Sequence, residues 1–273
     1  MSKVTIASAQ NAKLKLVRAL AGRSRERREA GAFLAEGVRL VEEALASGWP
    51  FRYVLFGGEL TERGRNLVAR LRERGIETAE ISEKLLASLS ETETSQGLLA
   101  VLEEERGQRL GLLNNVLITD ALRDPGNLGT LLRSAEAAGI EAVLLTPGTT
   151  DAFAPKVVRA AMGAHFRLPL FEVNWGEIRT QASTYDWSVY LADKGGQSLW
   201  EADFTTPMAL IVGAETEGVS AEARRLATHT VSIPMQGQTE SLNAAVAGSI
   251  LMFEAMRRRR AATRDTTLRN RAS

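Results

Sequence analysis

The sequence predicts an α/β protein made of two successive units. Two observations carry this prediction: short apolar runs alternate with helix-periodic segments along most of the 273 residues, and a charged segment interrupts the alternation. That segment, EEERGQRLG at 103–111, has no periodic apolar face and is typical of a linker. We therefore expect a small α/β domain over 1–105, a linker over 106–113, a second α/β domain over 114–261 and a disordered basic tail over 262–273.

The first domain is predicted to contain three strands and three helices. Each predicted strand is a short apolar run, and each predicted helix has apolar residues at helical spacing. The predicted strands are Phe33–Ala35, Tyr53–Phe56 and Leu98–Leu102, and the predicted helices lie around Lys13–Arg27, Val38–Ala46 and Glu62–Arg74.

The second domain is predicted to contain a parallel sheet with helices on both faces. Its apolar runs are separated by helical segments, which is the pattern of strands joined by helical crossovers. The predicted strands are Val116–Asp120, Ala142–Thr146, Leu168–Val173, Ser188–Ala192, Met208–Val212 and Val231–Met235, and the predicted helices are centred near Leu132, Val158, Ile178, Ala223 and Ile250.

Composition limits the class of protein. The chain is 44% hydrophobic and 25% charged, which allows a full core, and it has no cysteine, which excludes disulfides, thiolate metal sites and a cysteine nucleophile. The longest apolar stretch, Ala244–Phe253, is far shorter than the roughly 20 residues that cross a bilayer. We therefore expect a cytoplasmic globular protein without a metal site or a membrane role.

Charge is distributed unevenly along the chain. Residues 1–28 carry a net +7 and residues 254–273 a net +5, whereas the remainder carries −11 within a total of +1. Basic arms on an acidic body suit a polyanion such as RNA, because each Lys or Arg near a phosphate can release a counterion. The alternative is a solvated helix face and a frayed tail, and the run Arg257–Arg260 either contacts phosphate or ends a helix favourably. The candidate phosphate contacts of the first domain are Lys13, Lys15, Arg18, Arg23, Arg25, Arg27 and Arg28.

Three polar turns follow predicted strands of the second domain. They are DALRDPGNLGTLLRSAEAAG at 120–139, LIVGAETEGVS at 210–220 and IPMQGQTESLNAAVAGSILMFE at 233–254. Ligands of parallel α/β sheets bind beyond the carboxyl ends of the strands, so these turns are expected to lie together. Each turn alone also has an ordinary interpretation, since Ser241 suits a helix N-cap and Asn127 suits a tight turn.

The order and spacing of the three turns resemble the motifs of the SpoU or TrmH family of RNA ribose methyltransferases, in the SPOUT superfamily. NxGxxxR matches Asn127–Arg133, the GxExxG-like turn matches Gly213–Gly218, and IPMxGxxxSLN matches Ile233–Asn243. In the first domain, QNAKLKLVRAL and FLAEGVRLVEEAL are similar to the RNA substrate-binding domain of many members. The resemblance implies S-adenosylmethionine as methyl donor, a ribose 2′-hydroxyl on RNA as acceptor, a homodimer through the catalytic domain, and a trefoil-knotted catalytic α/β domain.

The resemblance also implies which residues form the site. It maps the catalytic set to Asn127, Arg133, Glu215, Ser241 and Asn243, and the cofactor loops, which bind mostly through backbone groups, to Leu191, Gly213, Ile233, Met235 and Leu242. An arginine stays protonated, so Arg133 suits a phosphate clamp or a stabiliser of oxyanion charge better than a base. Its alternative is a surface ion pair with Glu136. The acceptor of the hydroxyl proton stays open, because His165 and His229 lie outside the motif turns.

Within this family we expect ribosomal RNA of the large subunit as substrate, because the first domain resembles that of members acting there. Three alternatives stay open: a transfer RNA ribose methyltransferase, a methyltransferase acting on a base, and a non-catalytic RNA-binding or ribosome-assembly factor on the same scaffold. DNA is not expected as a partner.

Overall fold

The computed structural model describes residues 4–6, 8–90, 96–105, 111–204, 206–214 and 218–272, with the backbone alone for Val4 and for 262–272. In chain order its elements are β1 (Val4–Ile6), α1 (Ala12–Ala21), α2 (Ser24–Ala30), β2 (Ala32–Glu36), α3 (Val38–Ser47), β3 (Phe51–Phe56), α4 (Glu62–Glu73), β4 (Thr78–Ile81), α5 (Glu83–Ala87), β5 (Leu98–Glu103), β6 (Asn115–Asp120), α6 (Pro125–Ala137), β7 (Ala142–Leu145), α7 (Pro155–Ala161), β8 (Leu170–Glu172), α8 (Trp175–Thr184), β9 (Ser188–Ser198), β10 (Met208–Gly213), α9 (Ala221–Leu226), β11 (His229–Ser232) and α10 (Ala244–Ala272), with a 3-10 turn at Ala164–Phe166.

The described residues divide into two compact units, of which the first falls within 1–105 and 151–167. Its five-stranded sheet has the order β1, β4, β3, β5, β2, and β5 runs antiparallel to both of its neighbours. Leu14, Val17 and Leu20 recur at helical spacing on α1, and all three are buried in one core with Leu55 and Val101. The amphipathic pattern of α1 is therefore what attaches it to the sheet.

Several short elements of the first unit are not predicted from the sequence. These are β1, β4 and α5, which are only three to five residues long and too short to show a period. The helix predicted around Lys13–Arg27 is two helices, because the chain turns at Gly22, whose backbone N–H donates to the carbonyl of Ala19.

Residues 151–167 lie in the first unit, although the sequence assigns them to the second domain. The ring centroids of Phe153 and Phe166 lie 4.9 and 6.5 Å from that of Phe33 on β2. This segment buries its aromatic side chains against residues more than a hundred positions earlier. Such packing is invisible to strand and helix periodicity, which explains the difference.

The second unit falls within 106–150 and 168–273 and contains a six-stranded sheet in the order β11, β9, β10, β6, β7, β8. Every pair of neighbouring strands is parallel, as the sequence predicts. Ile178 of α8 and Ala223 of α9 share a core with Ile211 of β10. On the other face, α10 approaches so closely that a Cβ at Gly248 would lie 3.0 Å from Val212. Helices therefore cover both faces.

The boundaries around the third polar turn differ from the prediction. Strand β11 ends at Ser232 rather than at Met235, and α10 begins at Ala244 rather than at Ser241. Of the tail predicted to be disordered, residues 262–272 continue α10 and Ser273 lies outside the described residues. After Gly248 the sequence contains no glycine or proline that would interrupt the helix. Among the helices that the structure describes, none has the length and apolar character needed to cross a membrane.

A buried carboxylate of α10 pairs with the arginine run that follows it in the same helix. Glu254 is only 7% exposed and accepts hydrogen bonds from Arg257 at 2.7 Å and from Arg258 at 2.8 Å. Arg259 donates to Asn115 Oδ1 at 2.7 Å and to the carbonyl of Ala138 at 3.2 Å. Three arginines of the run are thus engaged by the fold, which favours the structural interpretation over phosphate binding.

We predict that Glu254→Gln lowers the free energy of unfolding by about 1.5 kcal/mol at neutral pH, as for a hydrogen bond to a charged group. The hydrogen bond from Arg257, helped by that from Arg258, lowers the pKa of Glu254 from 4.5 to about 2 despite burial. The stabilisation is therefore complete above pH 4.5 and is lost as the pH falls towards 2. Denaturant unfolding across this range measures it. The control is Glu222→Gln, because the ion pair of Glu222 with Arg225 is exposed; equal losses in both variants would contradict the prediction.

Candidate active site

A cleft lies beyond the carboxyl ends of β9, β10 and β11, where ligands of parallel sheets bind. Its volume is about 470 Å³, within the range of small-molecule sites. It is lined by residues 192–194, 212–214, 218–219, 231–233, 235, 240–244, 247 and 251. The second and third polar turns both contribute to it, and the start of α10 closes one wall.

Four of the five residues predicted for the cofactor loops line this cleft. They are Gly213, Ile233, Met235 and Leu242. The fifth, Leu191, does not: its side chain is 2% exposed and packs in the sheet core with Ile178. The prediction for Leu191 concerns its backbone groups and stays a prediction, and the lining on this strand begins at its neighbour, Ala192.

Strand β9 also contributes Ala192, Asp193 and Lys194, which the sequence did not predict for the cleft. Residues 192–196 bulge out of the sheet, since Thr230 of β11 pairs with Leu191 and the next residue, Val231, pairs with Gln197. The backbone returns to β11 at Gly196, where a Cβ would lie 2.5 Å from the carbonyl of Thr230. The glycine pair at 195–196 is the sequence signal for this bulge. It presents Asp193 and Lys194 to the cleft.

A hydrogen bond between two asparagine side chains joins the first and third turns. Asn243 Nδ2 donates to Asn127 Oδ1 at 2.8 Å. Asn243 Oδ1 accepts from the backbone N–H groups of Ala245 and Val246 at 3.0 and 3.2 Å, which caps α10. Asp124 holds the other partner by accepting from the N–H of Asn127 at 2.7 Å. Each asparagine is thus also held by hydrogen bonds at the start of its own helix.

The remaining predicted catalytic residues are placed differently. The side chain of Ser241 is exposed and lines the cleft. Arg133 is exposed on α6 and is not part of the lining. Within the described residues it makes no hydrogen bond or ion pair, so the alternative of a pair with Glu136 is not supported. Glu215 lies outside the described residues.

Comparison with known proteins identifies the family. The model of the SpoU rRNA methylase family matches residues 114–253, and that of the MRM3-like substrate binding domain matches residues 11–100. The chain belongs to the SpoU family. Over 249 residues it is 38% identical to the 23S rRNA (guanosine(2553)-2'-O)-methyltransferase of Bacillus subtilis, covering 91% of this chain and 97% of that protein. It is also 35% identical to the 23S rRNA (uridine(2479)-2'-O)-methyltransferase of Streptomyces viridochromogenes, with 95% and 94% covered.

Solved structures resemble this SpoU chain over nearly its whole length. The AdoMet-bound rRNA methyltransferase from Sinorhizobium meliloti matches with a TM-score of 0.83 and 30% identity, covering 93% of this chain and 97% of that one. The SpoU methyltransferase AviRb from Streptomyces viridochromogenes, in complex with AdoMet, gives a TM-score of 0.80 at 32% identity, with 92% and 100% covered.

The predicted RNA contacts of the SpoU chain differ in exposure. Lys15, Arg18, Arg23, Arg25 and Arg28 are exposed on α1 and α2 or between them. Lys13 is partly buried, pairs with Glu77 and lies 4.7 Å from the centroid of the Tyr53 ring. These six stay candidates for phosphate contact.

Arg27 cannot be a phosphate contact, contrary to the prediction. It is 3% exposed. Its guanidinium donates to Asp151 Oδ2 at 2.7 Å and to the carbonyls of Leu20 and Gly22 at 2.7 and 2.9 Å. The side chain therefore closes the carboxyl end of α1 and neutralises a buried aspartate.

Neither histidine of the SpoU chain lines the cleft. His165 is buried in the first unit, where desolvation lowers its pKa to about 4 and Nε2 bonds the carbonyl of Ala152 at 2.7 Å. His229 stacks on Tyr190 with ring centroids 4.8 Å apart. The proton acceptor is therefore not a histidine at this cleft.

We predict that Gly196→Ala lowers the free energy of unfolding by about 2 kcal/mol, as overpacking typically does. The added methyl would lie 2.5 Å from the Thr230 backbone, so β9 and β11 must separate. The matched control is Gly195→Ala, because a Cβ at Gly195 meets no atom within 4 Å. Denaturant unfolding of both variants checks the prediction, and a Gly196→Ala protein as stable as Gly195→Ala would contradict the close approach of the strands.

Proposed function

We propose that this SpoU-family protein transfers a methyl group from S-adenosylmethionine to a ribose 2′-hydroxyl of large-subunit ribosomal RNA. The observation that carries the proposal is the hydrogen bond between Asn127 and Asn243, which joins two motif turns beside a cleft large enough for a small molecule. The names of the Bacillus and Streptomyces relatives support the same reaction class.

The residues of the cleft suit S-adenosylmethionine, which supplies an electrophilic methyl group when bound. Val231, Ile233 and Leu242 offer apolar surface suited to an adenine ring. Lys194 and Glu240 line the same cleft and carry charges complementary to the carboxylate and the amino group of an amino acid. The backbone of the surrounding turns supplies further polar groups, as the family resemblance implies.

Positioning of the ribose is the main contribution that the protein makes. A hydroxyl oxygen must approach the methyl carbon in line, so orientation of the RNA supplies much of the rate. We assign Ser241, at the cleft wall, to contact the ribose. Arg133 donates to a phosphate or to the developing oxyanion, since its guanidinium remains protonated. We assign Glu215 to hold the motif turns in position.

RNA is held, in this proposal, by the exposed basic side chains of α1 and α2. The substrate-binding family model covers this region. Three of these side chains, Lys15, Arg18 and Arg23, have no acidic partner among the described residues. Arg25 differs, because it pairs with Glu29 at 2.6 Å. Lys15, Arg18 and Arg23 are therefore the strongest phosphate contacts.

The proposal includes a homodimer formed through the second unit, a trefoil knot and a cytoplasmic location. Val246 and Phe253 are seven residues apart on α10, lie on one helix face and are 45% and 42% exposed. An exposed apolar helix face is typical of an interface. The knot is proposed from the family resemblance. Light scattering in solution measures the dimer directly.

The proposed reaction is tested with ribosomal RNA from cells that lack the gene, S-adenosylmethionine carrying a labelled methyl group, and the purified protein. Nuclease digestion and mass analysis should reveal a 2′-O-methylated nucleoside in large-subunit RNA. Label in transfer RNA or on a base would redirect the proposal to another acceptor. No transfer and no binding of S-adenosylhomocysteine would favour the non-catalytic scaffold.

In the same assay we predict that Arg133→Ala lowers kcat/KM by about 100-fold, as loss of a donor to an oxyanion typically does. Because Arg133 lies outside the lining, calorimetry should show unchanged affinity for S-adenosylhomocysteine. Arg179→Ala, which removes an exposed arginine from α8, is the control and should retain full activity. Equal activity of the two variants would exclude Arg133 from the reaction.

We predict that Arg23→Glu weakens RNA binding several-fold and reduces the salt dependence of the affinity. The reason is that fewer counterions are released from the RNA on binding when a phosphate contact is lost. Arg70→Glu makes the same charge change at an exposed site on α4 and serves as control. Binding is measured by titration at several salt concentrations. Single substitutions are preferable to removing residues 1–105, since that deletion would uncover the aromatic residues of 151–167. Identical behaviour of the two variants would move the RNA surface elsewhere.

A further inference from the structure

We propose that Asp120 is a positioning residue for the cofactor, because its carboxylate fixes the turn that forms one wall of the cleft. The inference rests on the proposed function and adds to it a residue that touches neither the methyl donor nor the RNA. It concerns the second polar turn, from Gly213 to Ser220, of which Gly213, Ala214, Gly218 and Val219 line the cleft.

Asp120 is the last residue of β6 and is 2% exposed. In the parallel register it stands directly beside Gly213, the last residue of β10. Its Oδ2 accepts a hydrogen bond from the backbone N–H of Ser220 at 2.6 Å. One end of the turn is therefore held by the sheet and the other by a buried carboxylate.

Burial of a carboxylate is unfavourable unless hydrogen bonds compensate for the lost water. The short distance to the Ser220 N–H is typical of a charge-assisted bond, which is about twice as strong as a neutral one. An aspartate at a strand end beside a cleft needs a reason, since an apolar residue would satisfy the core. The geometry indicates that the Asp120 carboxylate holds the end of the turn at Ser220 in position.

The described residues at the two ends of this turn contact each other, and the anchor preserves these contacts. Ala214 and Gly218 form an isolated bridge. A Cβ at Gly213 would lie 2.5 Å from Val219 Cγ1, so Val219 closes over the strand end. Release of Ser220 would free Val219, its neighbour in the chain, from this position. The cleft would then have to be re-formed whenever the cofactor binds, which lowers the apparent affinity.

Asp120 also connects this wall to the first polar turn. The next residue, Ala121, has a φ of 51°. Its N–H donates to the hydroxyl of Thr146 at 3.1 Å. From there the chain enters the turn that carries Asn127. The backbone that enters the first turn is thus held by Thr146, whereas the Asp120 carboxylate holds the second turn.

The test measures binding of S-adenosylhomocysteine by calorimetry to the full chain. We expect Asp120→Asn to weaken binding about tenfold, because a neutral acceptor replaces a charged one. In methyl transfer, KM for S-adenosylmethionine should rise while kcat and KM for RNA stay near the wild-type values. Thr119→Val is the control: Thr119 is buried on the same strand, and its hydroxyl contacts Leu144 and Thr149 rather than the cleft.

A second pair of variants removes the donor instead of the acceptor. Ser220 has a φ of −64°, which proline adopts, so Ser220→Pro deletes the N–H and puts the ring Cδ in its place, which displaces the Asp120 carboxylate from the turn. Ser220→Ala removes only the hydroxyl that caps Ala223 and keeps the N–H. Weaker binding in Ser220→Pro but not in Ser220→Ala supports the inference even if Asp120→Asn does not fold.

The outcomes separate the inference from the proposed function. If the wild-type protein binds no S-adenosylhomocysteine, the proposed function fails. If it binds and both Asp120→Asn and Ser220→Pro bind equally well, only the positioning role is overturned. A loss of thermal stability in Asp120→Asn with unchanged affinity also overturns it, since that result shows a purely structural aspartate.

Discussion

The site depends on the hydrogen bond from Asn243 to Asn127. The packing of α10 on α6 determines the distance between these two side chains. A Cβ at Gly248 would lie 2.5 Å from Leu131 Cδ2 and 3.0 Å from Val212, so a larger residue would require these side chains to shift. One residue later, the hydroxyls of Ser249 and Ser134 are 2.7 Å apart. These contacts join the first turns of α10 to the middle and the last turn of α6. The asparagines that precede or open them are therefore aligned by packing, and their hydrogen bond follows from it.

The middle of α10 is held by hydrogen bonds of charged side chains rather than by close packing. Glu254 binds two following arginines, and Arg259 reaches the beginning of β6 and the end of α6. The arginine run resembles a nucleic-acid contact in sequence because charge patterns do not reveal a buried partner. Arg27 shows the same effect, since its aspartate lies 124 positions away in the chain. Exposure decides which basic residues can meet RNA.

The parallel sheet and the three turns could be predicted because they depend on local signals. Uninterrupted apolar runs mark the strands, and glycine, proline and asparagine mark the turns between strand and helix. The placement of 151–167 could not be predicted, because it depends on aromatic contacts with Phe33. The bulge that follows Leu191 could not be predicted for a related reason: it is defined by pairing with β11, which the sequence of β9 alone does not contain.

The motif residues of this cleft divide into those that hold the turns and those that remain available to substrate. Asn243 engages its amide nitrogen with Asn127 and its amide oxygen with two backbone N–H groups. Asp120 likewise directs its carboxylate to the backbone of Ser220. Ser241 is exposed at the cleft wall, and Arg133 is exposed on α6. A match to a motif thus does not by itself identify the reacting groups. Some motif residues are required because they hold a cofactor turn rigidly in place, and others because they take part in the reaction.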